Sequence, residues 1–380
     1  MASYSGPYAH ELQTALRAVQ SAAKISQSVL RAEDKGTVEK SDLSPVTIAD
    51  FAVQALLASS VRAAFPADGL VGEESAAELR ADPALLRRVW ELLLRLRDDY
   101  GYDEGGDKDK DSSGCGGGLL PRSPEDMCEI IDRCGSGEPG ASRRVWVFDP
   151  IDGTKTFVRR EAYAINVALL EDGKQVLSVV GCPTLSADAD ADTKEYIDNS
   201  TVDPSGRGSI VSAIRGQGTY IRPLVADDAV VPRKISPRIY DPANTADLRV
   251  VSCYSIVDSG VDAAHDAIAA HLGITSKGHD LLSWVLRWVT LGLGLADVTV
   301  WVYKSRERTG KIWDHAGAML LFEEIGGKIT DVDGKDIDLS VGRKMTGNHG
   351  FVAAPSSLHH VVLEAVRDVL HAQGKAHLLA

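Results

Sequence analysis

Val145-Trp146-Val147-Phe148-Asp149-Pro150-Ile151-Asp152-Gly153-Thr154 decides how this chain reads. The first four residues are β-branched or aromatic and predict a buried strand. Pro150 has no backbone N–H and predicts the strand's end. Asp149 and Asp152 then stand at the carboxyl end of the strand and in the turn beyond it, a usual place for a ligand in an α/β protein. Gly153 permits a tight turn, and Thr154 puts a hydroxyl beside the acids. Two carboxylates this close repel each other unless a cation lies between them. An oxygen-only ligand set favours Mg²⁺, Mn²⁺ or Ca²⁺ over zinc. The competing reading is an Asx-type turn with solvated acids. Asp-Pro and Asp-Gly are common turn pairs, so this stretch alone leaves the two readings level.

The 380 residues suffice for one large domain or two tightly joined halves. A composition of 44% hydrophobic and 25% charged residues is that of an ordinary globular protein. The formal net charge of -13 argues against a nucleic-acid polymer as partner, because a phosphate backbone needs a cationic footprint. A small anionic substrate stays open, since a metal and local basic residues can offset the global charge. Cys115, Cys128, Cys134, Cys182 and Cys253 match no zinc-ligand spacing. Their odd number and the lack of a secretion segment predict a reducing, cytoplasmic setting. No run of 18 apolar residues predicts a membrane span; the stretch 281–302 is interrupted by Arg287 and Asp297.

Read in order, residues 8–30 carry an apolar helical stripe. Pro45 leads into a second helix, with Thr47 and Asp50 sharing its first turn; simple capping is the plain alternative there. A short strand ends in Glu73 and Glu74, whose side chains diverge in extended backbone, so one of them reaches an interior site. Asp82-Pro83 and Ser123-Pro124 each open a helix. Residues 100–118 are rich in glycine and charge and predict a mobile insertion that lacks the spacing of a calcium loop. Residues 163–169 and 176–180 form a hairpin. The glycines between 206 and 218 make no dinucleotide fingerprint. An exposed connection at 223–242 divides an α+β half, 1–240, from an α/β half, 241–380. The second half carries a helix over 280–291 and a strand over 296–302. A basic loop at 304–311 precedes a helix over 312–324 that Asp314 would cap, and the last helix spans 356–370.

Residues 42–50, Gly72-Glu73-Glu74-Ser75, residues 149–154 and Trp313-Asp314-His315-Ala316-Gly317 occur in this order across most of the chain. Together they resemble the magnesium-dependent, lithium-sensitive phosphatases of the inositol monophosphatase superfamily. Residues 40–50 and Lys311-Ile312-Trp313-Asp314-His315 look most like its 3′(2′),5′-bisphosphate nucleotidase branch. The resemblance implies an α/β fold, a layered αβαβα sandwich of the inositol monophosphatase and fructose-1,6-bisphosphatase type. It makes Glu73, Asp149, Asp152, Asp314 and the Ile151 carbonyl ligands of two or three Mg²⁺ ions. Mn²⁺ is expected to substitute, and Li⁺ and Ca²⁺ to inhibit. Thr154, paired with Asp50, would orient or help deprotonate the attacking water, and Glu74 would support the site.

The partner implied is a small phosphorylated metabolite, foremost 3′-phosphoadenosine 5′-phosphate, cleaved to AMP by a monomer or homodimer. Asp152, Gly153, Thr154 and Asp314 would meet the reacting phosphate. Arg159, Arg160 and Lys311 would meet the other phosphate or serve as plain surface charge. Tyr254 and Trp284 are candidates to stack on a base, although a helical aromatic is more often core. The chain departs from the family at Thr156, where a glycine is usual. It departs again at Trp284, in the position of a phosphate-binding lysine, and at residues 252–255, in place of a serine- and histidine-rich contact. These changes leave the metal chemistry intact and weaken the nucleotide assignment. The alternative substrate is an inositol phosphate or another small metabolite. The rival class is a non-catalytic binding protein on the same fold, for which the full acid set would be superfluous.

Overall fold

The computed structural model describes residues 6–31, 36–39, 45–100, 120–140, 142–189, 196–225, 230–241, 244–254, 260–276 and 278–380. A seven-stranded sheet of β1 (Gly69–Gly72), β2 (Arg144–Asp152), β3 (Ala164–Glu171), β4 (Lys174–Cys182), β5 (Ser209–Ile214), β6 (Gly218–Pro223) and β7 (Arg233–Lys234) keeps chain order in space. β1 lies parallel to β2, and every later pair is antiparallel. Residues 145–148 form the expected strand, but Pro150 does not end it. Pairing with β3 runs to Asp149 opposite Asn166, shifts register, and resumes at Asp152 opposite Ala164. β2 thus carries one more residue than β3 over this interval. The N–H that proline lacks is absorbed in a bulge, so the strand continues. Both acids therefore stand within β2, and neither lies in a turn beyond it.

Alternating side chains of β2 feed two cores. Trp146 and Phe148 pack with α1 (Ala9–Arg31), α2 (Ile48–Ala64), α3 (Pro83–Tyr100) and α4 (Pro124–Gly135). α5 (Thr154–Val158) follows β2 directly and adds Phe157 to this core. Val145 and Val147 face the other way. A three-stranded antiparallel sheet of β8 (Thr299–Trp301), β10 (Phe351–Pro355) and β9 (Gly327–Thr330), in that spatial order, lies beyond them. Its Trp301, Ile329 and Phe351 join the second core, and Val300, Val352 and Ala354 join a third. The third core is closed by α6 (Asp262–His271) and α10 (His359–Ala372). The second is filled by α7 (Trp284–Gly292), α8 (Ile312–His315) and α9 (Ala318–Glu323). The layers read helix, sheet, helix, sheet, helix. Sheets buried on both faces need helices outside and between them, and this arrangement supplies both.

Several bounds differ from the sequence reading. Asp280 belongs to a short strand, His279–Asp280, parallel to Val251–Ser252, so α7 starts only at Trp284. The helix expected over 312–324 is two, with Gly317 between them where an added Cβ would collide with Asn166 Oδ1. Asp314 lies inside α8, whose N-cap is Lys311, so Asp314 is not the cap. Residues 40–44 and 101–119, and with them nearly all of the proposed insertion, lie outside the described residues. Cys128, Cys134, Cys182 and Cys253 are buried, and no disulfide joins them. Among the described residues no helix is long and apolar enough to cross a membrane.

Candidate active site

The bulge is what brings the acids together. In a regular strand, residues three apart point to opposite faces. One extra residue restores a common side, and Asp149, Asp152 and Asp314 each offer a carboxylate oxygen within 4.8 Å of the others. Asp149 Oδ1 is buried and has no hydrogen-bond partner, although a buried carboxylate oxygen normally has one. Asp152 is anchored from α7: its Oδ2 accepts from Ser283 Oγ at 2.5 Å and from the Val285 N–H at 2.6 Å. Asp314 reaches the cluster from α8, and Asn166 Nδ2 on β3 fastens that helix by donating to the Trp313 carbonyl at 2.7 Å.

The electrostatics state a demand for positive charge. Burial, and then the charge of Glu73, hold Asp149 well above the ordinary carboxylate range. Burial, then Asp152 and Glu73, do the same to Asp314, against an opposing pull from Lys311. Asp152 is pushed up to about 6 by burial, although its bonds to Ser283 and Val285 pull it down. Carboxylates raised this way hold protons unless a cation replaces them. The orphaned oxygen, the all-oxygen donor set and the mutual repulsion fit a divalent hard cation.

The other expected residues fall in three places. Asp50 is fully buried at the start of α2, where its carboxylate and Thr47 complete a capping box. Thr154 Oγ1, at the start of α5, lies 3.5 Å from Asp50 Oδ1 and 3.1 Å from the Ile151 carbonyl oxygen. Asp50 thus serves the capping box and also faces the Thr154 hydroxyl. Glu73 is half-buried and Glu74 buried, just past β1. Gly153 has a left-handed φ of 91° that lets β2 turn into α5. Thr156, in place of the usual glycine, puts its hydroxyl 2.7 Å from the Gly153 carbonyl and 2.6 Å from that of Ala162. Arg159 and Arg160 are exposed just beyond α5, and Lys311 Nζ lies 5.3 Å from the Trp313 ring.

Tyr254 is 44% exposed, and its N–H donates to Asp280, away from the acid cluster in sequence and partners. Trp284 sits among Trp288, Trp301, His315 and Phe351, with the Arg287 guanidinium 4.1 Å from its ring. The cation of this helix is thus Arg287, three residues on from the position where the resemblance sought a lysine.

Sequence reasoning passed over residues that hold the site through backbone groups. Gln54 on α2 accepts from the Glu74 N–H and donates to its carbonyl, clamping the peptide next to Glu73. Arg287 donates to the carbonyls of Leu281 and Leu282, just ahead of Ser283. Ser283, a side-chain cap directly before a hydrophobic helix, was the one with a readable signal.

The fold is that of solved inositol monophosphatases. The enzyme of Thermotoga maritima superposes with a TM-score of 0.56 at 17% identity, covering 96% of this chain and 99% of that one. Inositol monophosphatase II of Staphylococcus aureus gives 0.55 at 16% identity, covering 97% of each chain. The inositol monophosphatase family profile matches residues 8–371, and the chain belongs to that family. Within it, the chain falls with the 3′(2′),5′-bisphosphate nucleotidase branch. A protein of that name from Emericella nidulans is 38% identical over 370 residues, covering 96% of this chain and 99% of its own. Another from Oryza sativa is 33% identical over 380 residues, covering 97% of each. Family, branch and acid cluster together support a magnesium-dependent phosphomonoesterase.

Proposed function

We propose that this chain hydrolyses 3′-phosphoadenosine 5′-phosphate at its 3′-phosphate, releasing AMP and inorganic phosphate. The observation that carries the reading is the bulged acid cluster with its unpartnered Asp149 Oδ1. Asp149, Asp152, Asp314, Glu73 and the Ile151 carbonyl would hold the Mg²⁺ ions. Bound Mg²⁺ supplies charge neutralisation of the phosphate, a more acidic water and stabilisation of the leaving oxygen. The chain's own part is orientation. A Thr154 hydroxyl that donates to Asp50 Oδ1 turns its lone pairs outward, where they accept a water proton and aim the water oxygen at phosphorus. That oxygen bonds to phosphorus as the bond to the ribose 3′-oxygen breaks; the water's surplus proton passes by way of the Thr154 hydroxyl to Asp50, and the 3′-oxygen takes its proton from a solvent water. Glu74, fixed at its backbone by Gln54, backs the Glu73 side. Arg159, Arg160 and Lys311 supply cations for the phosphate that does not react.

The substrate assignment leans on the branch, whose members are named 3′(2′),5′-bisphosphate nucleotidases; the adenine base is our own choice within that class. A second reading, an inositol phosphate, is favoured by Trp284, whose ring is engaged by neighbouring side chains and Arg287. The test is kcat/KM on 3′-phosphoadenosine 5′-phosphate beside inositol 1-phosphate, inositol 1,4-bisphosphate and 3′-AMP. The nucleotide reading expects the bisphosphate to lead, because base and second phosphate add transition-state binding. An inositol ester ahead by more than about tenfold, roughly 1.4 kcal/mol in the barrier, overturns it. No turnover of any ester with Mg²⁺ overturns the enzyme reading itself.

A further inference from the structure

Arg343 lies in the loop between β9 and β10 and is half-buried. Its Nη1 donates to the carbonyls of Cys134 at 3.0 Å and Gly137 at 3.1 Å, and its Nη2 donates to the Gly72 carbonyl at 2.7 Å. Its own carbonyl accepts from the Ile312 N–H at 2.9 Å. Its guanidinium stands 4.7 Å from the centre of the Trp313 ring. One residue therefore grips the peptide before Glu73 and the two residues before Asp314.

The neighbourhood is built for close approach. β1 is the edge strand, and β2 pairs it on one side only. Its other side is met by the end of α4. A Cβ on Gly72 would come within 2.7 Å of Gln54 Oε1 and 3.0 Å of Cys134 Cβ, and a Cβ on Gly137 would collide with the Leu70 carbonyl. With side chains excluded there, carbonyls from β1 and α4 converge on one point. A planar guanidinium can serve several of them at once, and an ammonium on a flexible stem cannot hold the same geometry.

We propose that Arg343 is a positioning residue for the metal centre, fixing the Glu73 end of β1 against the helix that carries Asp314. It touches backbone and the Trp313 ring and has no part in the chemical step. The inference rests on Glu73 and Asp314 acting as metal ligands.

The test is Mn²⁺ binding to the full chain without substrate, followed by electron paramagnetic resonance, with thermal melting alongside. Arg343→Lys should weaken Mn²⁺ binding by roughly tenfold or more. Arg144→Lys is the comparison: Arg144 ties Glu11, Asp68 and Glu171 together at the far end of β2. It should lower the melting temperature and leave Mn²⁺ affinity in place. If Arg343→Lys binds Mn²⁺ within about twofold of wild type, the positioning role is wrong. If wild type itself binds no Mn²⁺, the metal-centre reading falls first and takes this inference with it. Should the lysine variant fail to fold, Trp313→Leu removes the stacked ring without freeing a carbonyl, and the same expected loss and the same overturning result apply to it.

Discussion

Asp152 and Ser283 stand 131 residues apart in the chain, yet Ser283 Oγ donates to Asp152 Oδ2 at 2.5 Å. The same hydroxyl accepts from the Leu286 N–H at 3.0 Å and so caps α7. A serine that starts a helix in the second half therefore orients a carboxylate from the first. Ser283→Ala leaves the Val285 N–H alone on that oxygen. Mg²⁺ half-saturation should rise, and kcat/KM should fall by about 10–100-fold, as is usual for groups that orient ligands. The lost cap adds about 1 kcal/mol of destabilisation. Ser283→Thr keeps the hydroxyl and should restore both. An unchanged Mg²⁺ curve in the alanine variant would assign the whole task to Val285.

The acids can be told apart from ordinary structural residues by the sign of their effects. Asp149→Asn and Asp314→Asn each remove a carboxyl group that the metal-free fold must either protonate or leave charged beside its neighbours. The metal-free variants should melt higher than metal-free wild type at pH 7. The rise that Mg²⁺ gives wild type should shrink or vanish in them, and turnover should be largely lost. Thr154→Ala should behave differently, lowering kcat with the Mg²⁺ requirement unchanged, because its hydroxyl addresses water. Normal rate and normal metal dependence in Asp314→Asn would leave Asp314 as a plain residue of α8.

Asp149 and Asp152 were legible from their type and spacing, whereas Asp314's place beside them and the layered fold came from the resemblance that the four segments carry together. The bulge was not. Proline's missing N–H is visible in the sequence, but whether a strand ends or bulges there depends on what faces it. Here β3 continues past Asn166 to Ala164, and that pairing is non-local. Gln54, Arg287 and Arg343 were illegible for another reason. They act on the carbonyls of Glu74, Leu281, Leu282, Gly72, Cys134 and Gly137, and a carbonyl looks the same at every position. Their partners cannot be read from residue type. Trp284 shows the related hazard of aligning by position: the cation of α7 is Arg287, about one turn along, and it is buried and donates to the carbonyls of Leu281 and Leu282.

Gly317 is required for a distance and not for a turn. Its φ of -77° is open to any residue, but a Cβ there would strike Asn166 Oδ1. Asn166 Nδ2 holds the Trp313 carbonyl next to Asp314. Gly317→Ala should therefore cost about 1–3 kcal/mol in urea unfolding, the range for overpacking a close contact. It should also raise the Mg²⁺ requirement, since α8 must shift. Adding Asn166→Ala removes the atom that is struck, so the double variant should regain part of the stability but not the metal affinity. Strict additivity of the two stability losses would show that the sites are independent.

The last prediction concerns pH and metal together. Asp152 is held near 6 in the fold, above its ordinary 3.8, and Asp149 and Asp314 are held well above that value. Between the unfolded and folded values, the metal-free fold binds more protons than the unfolded chain. Stability with EDTA must then fall as pH rises from about 4 through 6 and beyond. His265 works in the opposite direction. Burial lowers it to about 4, so it contributes stability above its ordinary 6.5 that is lost as pH falls toward 4. That contribution is present with and without metal and cancels in a difference. Mg²⁺ takes the place of the carboxylate protons, and its binding weakens where protons compete. The gap between melting temperatures in Mg²⁺ and in EDTA should therefore widen steadily from pH 5 to pH 8. Asp149→Asn should flatten the EDTA curve and the gap together. A gap in wild type that stays constant, or narrows as pH rises, would mean that these three carboxylates do not hold the cation.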